Sequence, residues 1–317
     1  MTTQGKKLYN QSLTVFFYTS RGLFGLLLPT ILSLLMIAMS YGCSTEKLQP
    51  SQEERTFHLL YLEKSGDSLD VSDRAENART IDLVDADQLL FVHSRDTESV
   101  LTYRLEEAGV ISSAVHFQTF NTENYLGTKD QKARGHGIFV RPDDLGRMWL
   151  FNRTEVWQFD LPKAGDIEEV HFSAHKDLSS IVARGHDIDF DLEGNRFYVD
   201  DREDENIYQF DLATPWSIDS MELTYTLDIS SRHESVRGLE FSPDGQFMYL
   251  LDTSLREVQQ FQLAEPWEIR GAELIHTLNL EIENPRGFTW NADGSSAYVM
   301  DATSCVIYQF NISAVED

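Results

Sequence analysis

An internal repeat constrains the fold of this chain more than any other feature of its sequence. Five copies follow one another, each opens on an arginine, and four of them lead to a Gln-Phe pair. The opening arginines lie about 50 residues apart, at Arg79, Arg134, Arg184, Arg237 and Arg286. Self-similarity at a period of this length is typical of repeat architectures such as propellers and solenoids.

Each copy is patterned for strands rather than helices. Apolar and polar residues alternate on both sides of a short polar turn, as in Asp187–Leu192. The turns end on a glycine, whose backbone accepts the positive φ of a short hairpin. They are Asp143–Gly146, Asp191–Gly194, Ser242–Gly245 and Asn291–Gly294. Four antiparallel strands in a unit of this length indicate one propeller blade.

The two ends of the repeat region predict closure of a ring. The last copy stops after its third strand at Ile312, whereas Arg55–Leu62 stands alone before the first copy and is patterned like a fourth strand. Pairing these segments leaves no open sheet edge. We therefore predict an all-β fold, a β-propeller of five four-stranded blades with an N-terminal strand closing the last blade. The alternatives are an open array or a divergent sixth unit within 107–133.

The repeat also resembles a known family. Pro215–Ile218 and Pro266–Ile269 both read Pro-Trp-x-Ile, and they follow Tyr-Gln-Phe-like third strands and Phe-Ser-Pro-Asp-Gly-like turns. This combination resembles a family of bacterial and phage-associated propeller repeats with F-S-x-D-G, Y-V-x-D and P-W-D-I units, over about 79–313. The resemblance implies an extracytoplasmic repeat protein, generally without assigned catalysis. More distantly the chain is similar to YVTN and gluconolactonase-type propellers, although the Glu, Asn and Asp ligands of a gluconolactonase are not identifiable here.

The first 42 residues have the features of an export signal. Lys6, Lys7 and Arg21 are the charged residues of this segment, and the apolar run 22–39 follows them. A basic flank, an apolar run and small residues predict a secretory signal peptide at 1–42. Because the run approaches the length of a membrane span, an uncleaved anchor is the alternative.

A cysteine follows this segment directly. Ser40–Cys43 resembles a bacterial lipobox, in which the cysteine is lipidated and becomes the mature N-terminus. Ser44 resembles the residue that directs such lipoproteins to the outer membrane. The sequence thus predicts a signal peptide at 1–42, a linker at 43–54 after lipidated Cys43, and a propeller at 55–317. The expected location is the periplasm or cell envelope, with a lipid anchor in the outer membrane.

The charge balance limits the possible partners. The chain has 52 acidic and 26 basic residues, a formal net charge of −26. Nucleic acids and anionic lipid surfaces require a basic footprint, so we exclude nucleic acid as a partner. An acidic protein of this kind favours cations or cationic substrates, or simply remains soluble.

The repeated polar residues predict structural contacts between blades. The five arginines should surround one rim of the central channel, close to the ends of the second strands at Asp201, Asp252 and Asp301. We expect bidentate arginine–carboxylate braces there, with an anion-binding ring as the alternative. Four glutamines should satisfy backbone groups between blades. They are Gln158, Gln209, Gln260 and Gln309.

Two groups of residues are candidates for chemistry. His136, His186 and Asp187 lie near one rim in neighbouring copies and could hold a divalent metal or act as base and acid. The alternative is a pair of buried, hydrogen-bonded histidines. Four acids of an acidic loop could wrap Ca2+ or another divalent cation, with a solvated loop as the alternative. They are Asp200, Asp201, Glu203 and Asp204.

The sequence therefore supports a binding role more than catalysis. It contains no nucleophile elbow, phosphate-binding glycine loop or zincin helix. We expect an interaction module for a protein or glycan partner in the cell envelope, with no certain cofactor. A metal-dependent hydrolase or lyase at the channel mouth is the alternative, and a structural component of an envelope complex is the third possibility.

Overall fold

A computed structural model describes residues 51, 55–84, 88–126 and 135–313. The predicted signal peptide, the predicted lipidation site Cys43 and the rim residue Arg134 lie outside these residues. Within the described ranges, no helix has the length and apolar character needed to cross a bilayer.

Nearly all regular structure in the described residues is β. One short helix, α1, covers Glu123–Leu126. The strands, in chain order, are β1 Leu62–Asp70, β2 Ala78–Val84, β3 Leu89–Ser94, β4 Ser99–Leu105, β5 Ala114–Asn121, β6 Gly135–Val140, β7 Arg147–Asn152, β8 Glu155–Asp160, β9 His171–Asp177, β10 Gly185–Phe190, β11 Arg196–Asp201, β12 Asn206–Leu212, β13 Met221–Asp228, β14 Val236–Phe241, β15 Phe247–Asp252, β16 Glu257–Gln262, β17 Glu273–Asn279, β18 Pro285–Trp290, β19 Ser296–Asp301 and β20 Val306–Ile312.

These strands form five four-stranded antiparallel sheets, which confirms the predicted five-blade propeller. Four blades are consecutive in the chain, namely β2–β5, β6–β9, β10–β13 and β14–β17. The fifth combines β18, β19 and β20 with the N-terminal strand β1, which pairs with β20 from Leu62↔Ile312 to Asp70↔Val306. The ring is therefore closed by a strand from the other end of the described chain, as predicted.

The closing strand begins later than the sequence indicated. We expected it at Arg55–Leu62, but it starts at Leu62, and Leu59–Tyr61 form a 3-10 turn before it. The reason is that Phe57 and Leu59 take the positions of the tryptophan and the isoleucine of the Pro-Trp-x-Ile segment in the fifth blade. Phe57 has φ 60°, close to the 62° of Trp216 and the 63° of Trp267.

The described part of 107–133 contains no sixth blade. Ile111–Ser113 form a 3-10 turn, β5 is the fourth strand of the first blade, and α1 follows it. The described part of this segment is therefore the outer strand of the first blade followed by a less regular connection.

The cores lie between neighbouring blades. The second strand of each blade is buried on both faces because each sheet is packed between two others. Its central aromatic side chains are fully buried, at Phe91, Trp149, Tyr198, Tyr249 and Tyr298. The outermost strands alternate instead, as in β5, because one face meets solvent.

The inner hairpin turns combine two requirements for glycine. Gly194 and Gly245 have φ of +71° and +70°, and a Cβ on either would overlap the ring of Trp216 or Trp267. Gly294 has the same conformation and lies against Phe57. The second blade differs from the prediction, since Leu145, with φ 52°, and not Gly146 takes the left-handed conformation.

Candidate functional site

The innermost strands β2, β6, β10, β14 and β18 give the central channel two chemically different ends. The strands begin next to the repeated arginines and end at the inner hairpin turns. Glycines allow these strands to approach closely, because a Cβ on Gly238 would lie 2.8 Å from the Arg286 carbonyl oxygen. A Cβ on Gly287 would lie 2.8 Å from the Thr80 Cα. The Arg-Gly pairs at Gly238 and Gly287 thus mark a close approach between neighbouring innermost strands.

A cavity of about 300 Å³ lies at the hairpin end of the channel, and all five blades line it. In each blade, one residue of the innermost strand is paired in register with the central aromatic residue of the second strand. These equivalent positions are Asp82, Phe139, Asp189, Glu240 and Thr289. Three of the five carry a carboxyl group, and Asp187 also lines the cavity. No lysine, arginine or histidine is among the described residues that line it.

The carboxylates connect neighbouring blades. Asp82 Oδ2 accepts a hydrogen bond from the Val140 amide at 2.7 Å. Asp189 Oδ2 accepts one from the Phe241 amide at 2.9 Å. Thr289 Oγ1 donates to Glu240 Oε1 at 3.2 Å. The inter-blade brace that we expected from arginines is therefore made by acids of the innermost strands.

Burial and mutual repulsion raise the pKa values of these acids. The pKa of Glu240 lies well above its usual range because the group is desolvated and because Asp189, Asp82 and Asp187 are close. Desolvation likewise raises the pKa of Asp189, and Asp82 adds to the shift. The pKa of Asp82 is raised by burial to about 7. Part of the cluster is consequently protonated at neutral pH, and a bound cation would favour its ionised form.

Aromatic and aliphatic side chains form the walls of the cavity. Trp267, Phe241 and Trp290 line it, and Leu192 at its lip is 52% exposed. The buried Trp290 Nε1 has no hydrogen-bond partner among the described residues. Aromatic faces attract organic cations, and carboxylates hold their N–H groups. This lining is suited to an ammonium or guanidinium group carried on an apolar stem.

Of the acids in this cluster, Asp187 was the one predicted from the sequence as a candidate site residue. The available signal was a polar residue in an otherwise apolar innermost strand, three residues after the opening arginine in Asp82, Glu240 and Thr289. Asp189 lies in the alternating segment Asp187–Leu192, where we predicted a strand but no site at this residue, and it is 7% exposed.

The predicted catalytic residues are only partly brought together. The His136 and His186 rings lie edge to face with centroids 4.7 Å apart, and both are buried. Burial lowers the pKa values of both histidines well below the usual range. The neighbouring His186 lowers the pKa of His136 further, and nearby arginines lower that of His186. Asp187 lines the cavity and accepts the Leu239 amide at 3.2 Å. A catalytic role for these residues stays a prediction.

The four predicted cation ligands occupy two environments. Asp200 and Asp201 are fully buried at the end of β11, whereas Glu203 and Asp204 lie on the exposed turn that follows. Asp200 Oδ1 accepts the amides of His186 and Asp187, each at 2.6 Å. Asp201 accepts four backbone amides, including those of Glu203 and Asp204. Across the described ranges, no three His, Cys, Asp or Glu side chains are arranged to hold a metal ion, and the calcium site stays a prediction.

The arginines do not form the expected braces. The guanidinium groups of Arg79, Arg184, Arg237 and Arg286 make no ion pair with any described carboxylate. The carboxylates expected to pair with them bind backbone instead, since Asp252 Oδ2 accepts the Glu234 and Ser235 amides at 2.8 and 3.0 Å. The loops that enter β10 and β14 thus supply backbone amides to Asp201 and Asp252.

The repeated glutamines have the predicted role. Gln209 Oε1 accepts the Ile269 amide of the next blade at 3.1 Å, and Gln260 Oε1 accepts the Leu59 amide at 3.0 Å. Gln309 accepts the Ile111 amide in the same manner. Each bond joins a third strand to the segment before the fourth strand of its neighbour.

Comparison with known proteins does not assign this chain to a family. No protein-family model and no curated relative matches the sequence. Among solved structures, a protein of unknown function from Desulfotomaculum acetoxidans shares 13% identity at a TM-score of 0.41, over 71% of this chain and 63% of that one. The β-propeller domain of Cps50 (Swd1) from Myceliophteria thermophila shares 9% identity at 0.47, over 74% and 84%.

A periplasmic gluconolactonase from Pseudomonas aeruginosa, PpgL, shares 15% identity at a TM-score of 0.44. The similarity covers 71% of this chain, which spans 63% of the length of the Pseudomonas protein. Similarities at this level say nothing about the ligand, and the fold assignment depends on the strand pairing described above.

Proposed function

We propose that this chain is an exported, lipid-anchored binding module of the cell envelope that holds a partner by a cationic group in the axial cavity. The partner is a protein or a glycan, and the group is an ammonium or guanidinium on an apolar stem. The observation that carries the proposal is the lining of the cavity, where the described residues supply four carboxyl groups and aromatic walls but no basic side chain.

The chemistry of the cavity favours a cation over a neutral ligand. Glu240 and Asp189 have raised pKa values because they are desolvated near other acids. A positive charge between them would offset this repulsion, and the indole of Trp267 would contribute a cation–π contact. The volume of about 300 Å³ suits one side chain or one sugar residue rather than a large ligand.

The N-terminal features support the proposed location. The basic flank, apolar run and Cys43 resemble an export signal with a lipobox, and the repeat resembles extracytoplasmic propeller repeats. We propose attachment through lipidated Cys43 to the outer membrane. A propeller anchored in this way would present its loops and its cavity to other envelope components.

The proposal is tested by titration calorimetry on the purified full chain. The probes are a capped Gly-Lys-Gly peptide and a glucosamine oligomer, each compared with its N-acetylated, uncharged form. We expect one charged probe to bind roughly tenfold or more tightly than its acetylated form. The probe that binds distinguishes a protein partner from a glycan partner.

Two variants separate the cavity from general electrostatics. Glu240→Gln keeps the acceptor for Thr289 but removes a carboxyl group that can ionise when a cation binds, and it should weaken binding. Glu273→Gln, on the exposed start of β17, should bind as the unmodified chain does. Equal affinity for charged and acetylated probes would contradict the proposal. If Ca2+ raises the melting temperature and Glu240→Gln abolishes this rise, the ligand of the cavity is a metal ion rather than an organic cation.

A further inference from the structure

The opposite end of the channel has the reverse electrostatic character. Arg79, Arg184, Arg237 and Arg286 stand at the starts of four innermost strands, and each comes from a different blade. Gly287 lies close to the Arg79 carbonyl oxygen and Gly238 close to the Arg286 carbonyl oxygen, so the backbones that carry neighbouring arginines are close together. The described arginines therefore form most of a ring around the channel axis.

Two members of this ring are buried and have nitrogen atoms without a hydrogen-bond partner among the described residues. The side chains of Arg79 and Arg286 are only 6% and 9% exposed. Their Nε and Nη1 atoms have no hydrogen-bond acceptor among the described residues. Buried donors of this kind are rare in folded proteins, and a buried guanidinium without a counter-charge is costly.

The arginines also repel one another. Burial lowers the pKa of Arg79 to about 9, and Arg95, Arg237 and Arg153 add to the shift. Burial lowers the pKa of Arg237 to about 10, with Arg202 and Arg184 contributing. Both groups still carry a full charge at neutral pH.

The carboxylates near this end are already engaged. Asp96 accepts the side-chain amide of Asn77 at 3.0 Å, and Asp252 accepts backbone amides. Burial raises the pKa of Asp200 to about 7, so this group carries only part of a charge. His136 and His186 add no positive charge, because burial keeps them neutral. Guanidinium N–H groups of Arg79 and Arg286 therefore remain without an acceptor at this end of the channel.

We propose that the arginine ring binds a phosphate group on the channel axis. Guanidinium groups from several blades converge there, and their N–H edges match the oxygen atoms of a tetrahedral oxyanion. The group can be inorganic phosphate or the phosphate of a larger envelope molecule. This site is independent of the cationic ligand proposed for the other end, since the two involve different residues.

The test compares the melting temperature of the full chain in phosphate and in chloride at equal ionic strength and pH 7.5. A ligand that binds the native state raises the melting temperature in proportion to its occupancy. We expect inorganic phosphate or glycerol 3-phosphate to raise it, with a Kd that Arg79→Gln increases roughly tenfold or more. A response to both ligands indicates free phosphate, and a response to the monoester alone indicates a phosphate carried by a partner.

Controls keep the result specific to the ring. Arg286→Gln is the second test variant, should Arg79→Gln fold poorly, and it should lose the response equally. Arg232→Gln removes an exposed arginine from the loop before β14 and should respond as the unmodified chain does. The proposal is wrong if phosphate has no more effect than chloride, or if both ring variants retain the full response.

Discussion

The side-chain oxygen of Gln209 accepts a hydrogen bond from the backbone amide of Ile269, at 3.1 Å across the boundary between the third and fourth blades. Gln209 is 2% exposed and Ile269 is fully buried, so water cannot replace either partner. The same contact recurs between other blades. The glutamine of the repeat thus forms a buried hydrogen bond between neighbouring blades.

Removing this hydrogen bond should weaken the fold. In Gln209→Leu the Ile269 amide stays buried without an acceptor, and we expect the free energy of unfolding to fall by about 1–3 kcal/mol. Urea denaturation followed by tryptophan fluorescence measures the change. Gln246→Leu replaces an exposed glutamine in a hairpin turn and should change stability by less than about 0.5 kcal/mol. Equal effects of the two substitutions would refute this role.

The hairpin glycines should be more sensitive than backbone conformation alone requires. Gly271→Ala introduces a side chain at φ +77° into open space, and it should cost about 1 kcal/mol. Gly245→Ala, at φ +70°, also drives a Cβ into Trp267 and should cost roughly 2–4 kcal/mol. Gly66→Ala, which has neither problem, is the control. Similar losses at positions 245 and 271 would show that the tryptophan contact is unimportant.

The acid cluster predicts a pH dependence of stability. The raised pKa values of Glu240, Asp189 and Asp187 mean that the native state keeps protons that the unfolded chain has released. Stability should therefore decrease as pH rises for as long as the native state keeps these protons. The range from pH 7.0 to 8.5 is suited to the measurement, because it lies above the titration of histidine in the unfolded chain and below the pKa of about 9 of Arg79.

Denaturant midpoints across this range measure the slope. Glu240→Gln should make the decrease shallower by up to about 1.4 kcal/mol per pH unit, because it removes one retained proton. Glu273→Gln should leave the slope unchanged. A flat profile in the unmodified chain would show that these acids are ionised in the native state.

Lipidation of Cys43 is directly measurable. Cells grown with a clickable fatty acid should incorporate it into this protein, and Cys43→Ser should abolish the label. Cys305→Ser removes the other cysteine, which is buried and free, and should keep the label. An unlabelled protein that keeps residues 1–42 would support the uncleaved anchor instead.

The repeated elements were predictable because each copy carries similar residues at the same positions of the blade. The Gln-Phe pair, the turn glycine and the Pro-Trp-x-Ile segment recur at fixed offsets, and these offsets predicted the blades and the glutamine contacts. The start of β1 was misplaced because Phe57 replaces the tryptophan in a segment without proline, so it read as part of a strand.

The channel chemistry was less predictable because it depends on contacts between blades. Asp252 was expected to pair with an arginine, but the incoming loop supplies backbone amides to its carboxylate. Asp189 alternates with apolar residues along its strand, and this local pattern did not predict that it lines the axial cavity. Such assignments need the register between strands that are distant in the chain, and local patterns do not contain it.

The central claim, a cationic group held among the cavity acids, is tested most directly by counting protons released on binding. Titration calorimetry of the charged probe at pH 7 in buffers of different ionisation enthalpy gives this number. Because a cation lowers the raised pKa values of Glu240, Asp189 and Asp82, we predict net proton release, reduced in Glu240→Gln. Binding without proton release, or with the same release in Glu240→Gln, would contradict the account.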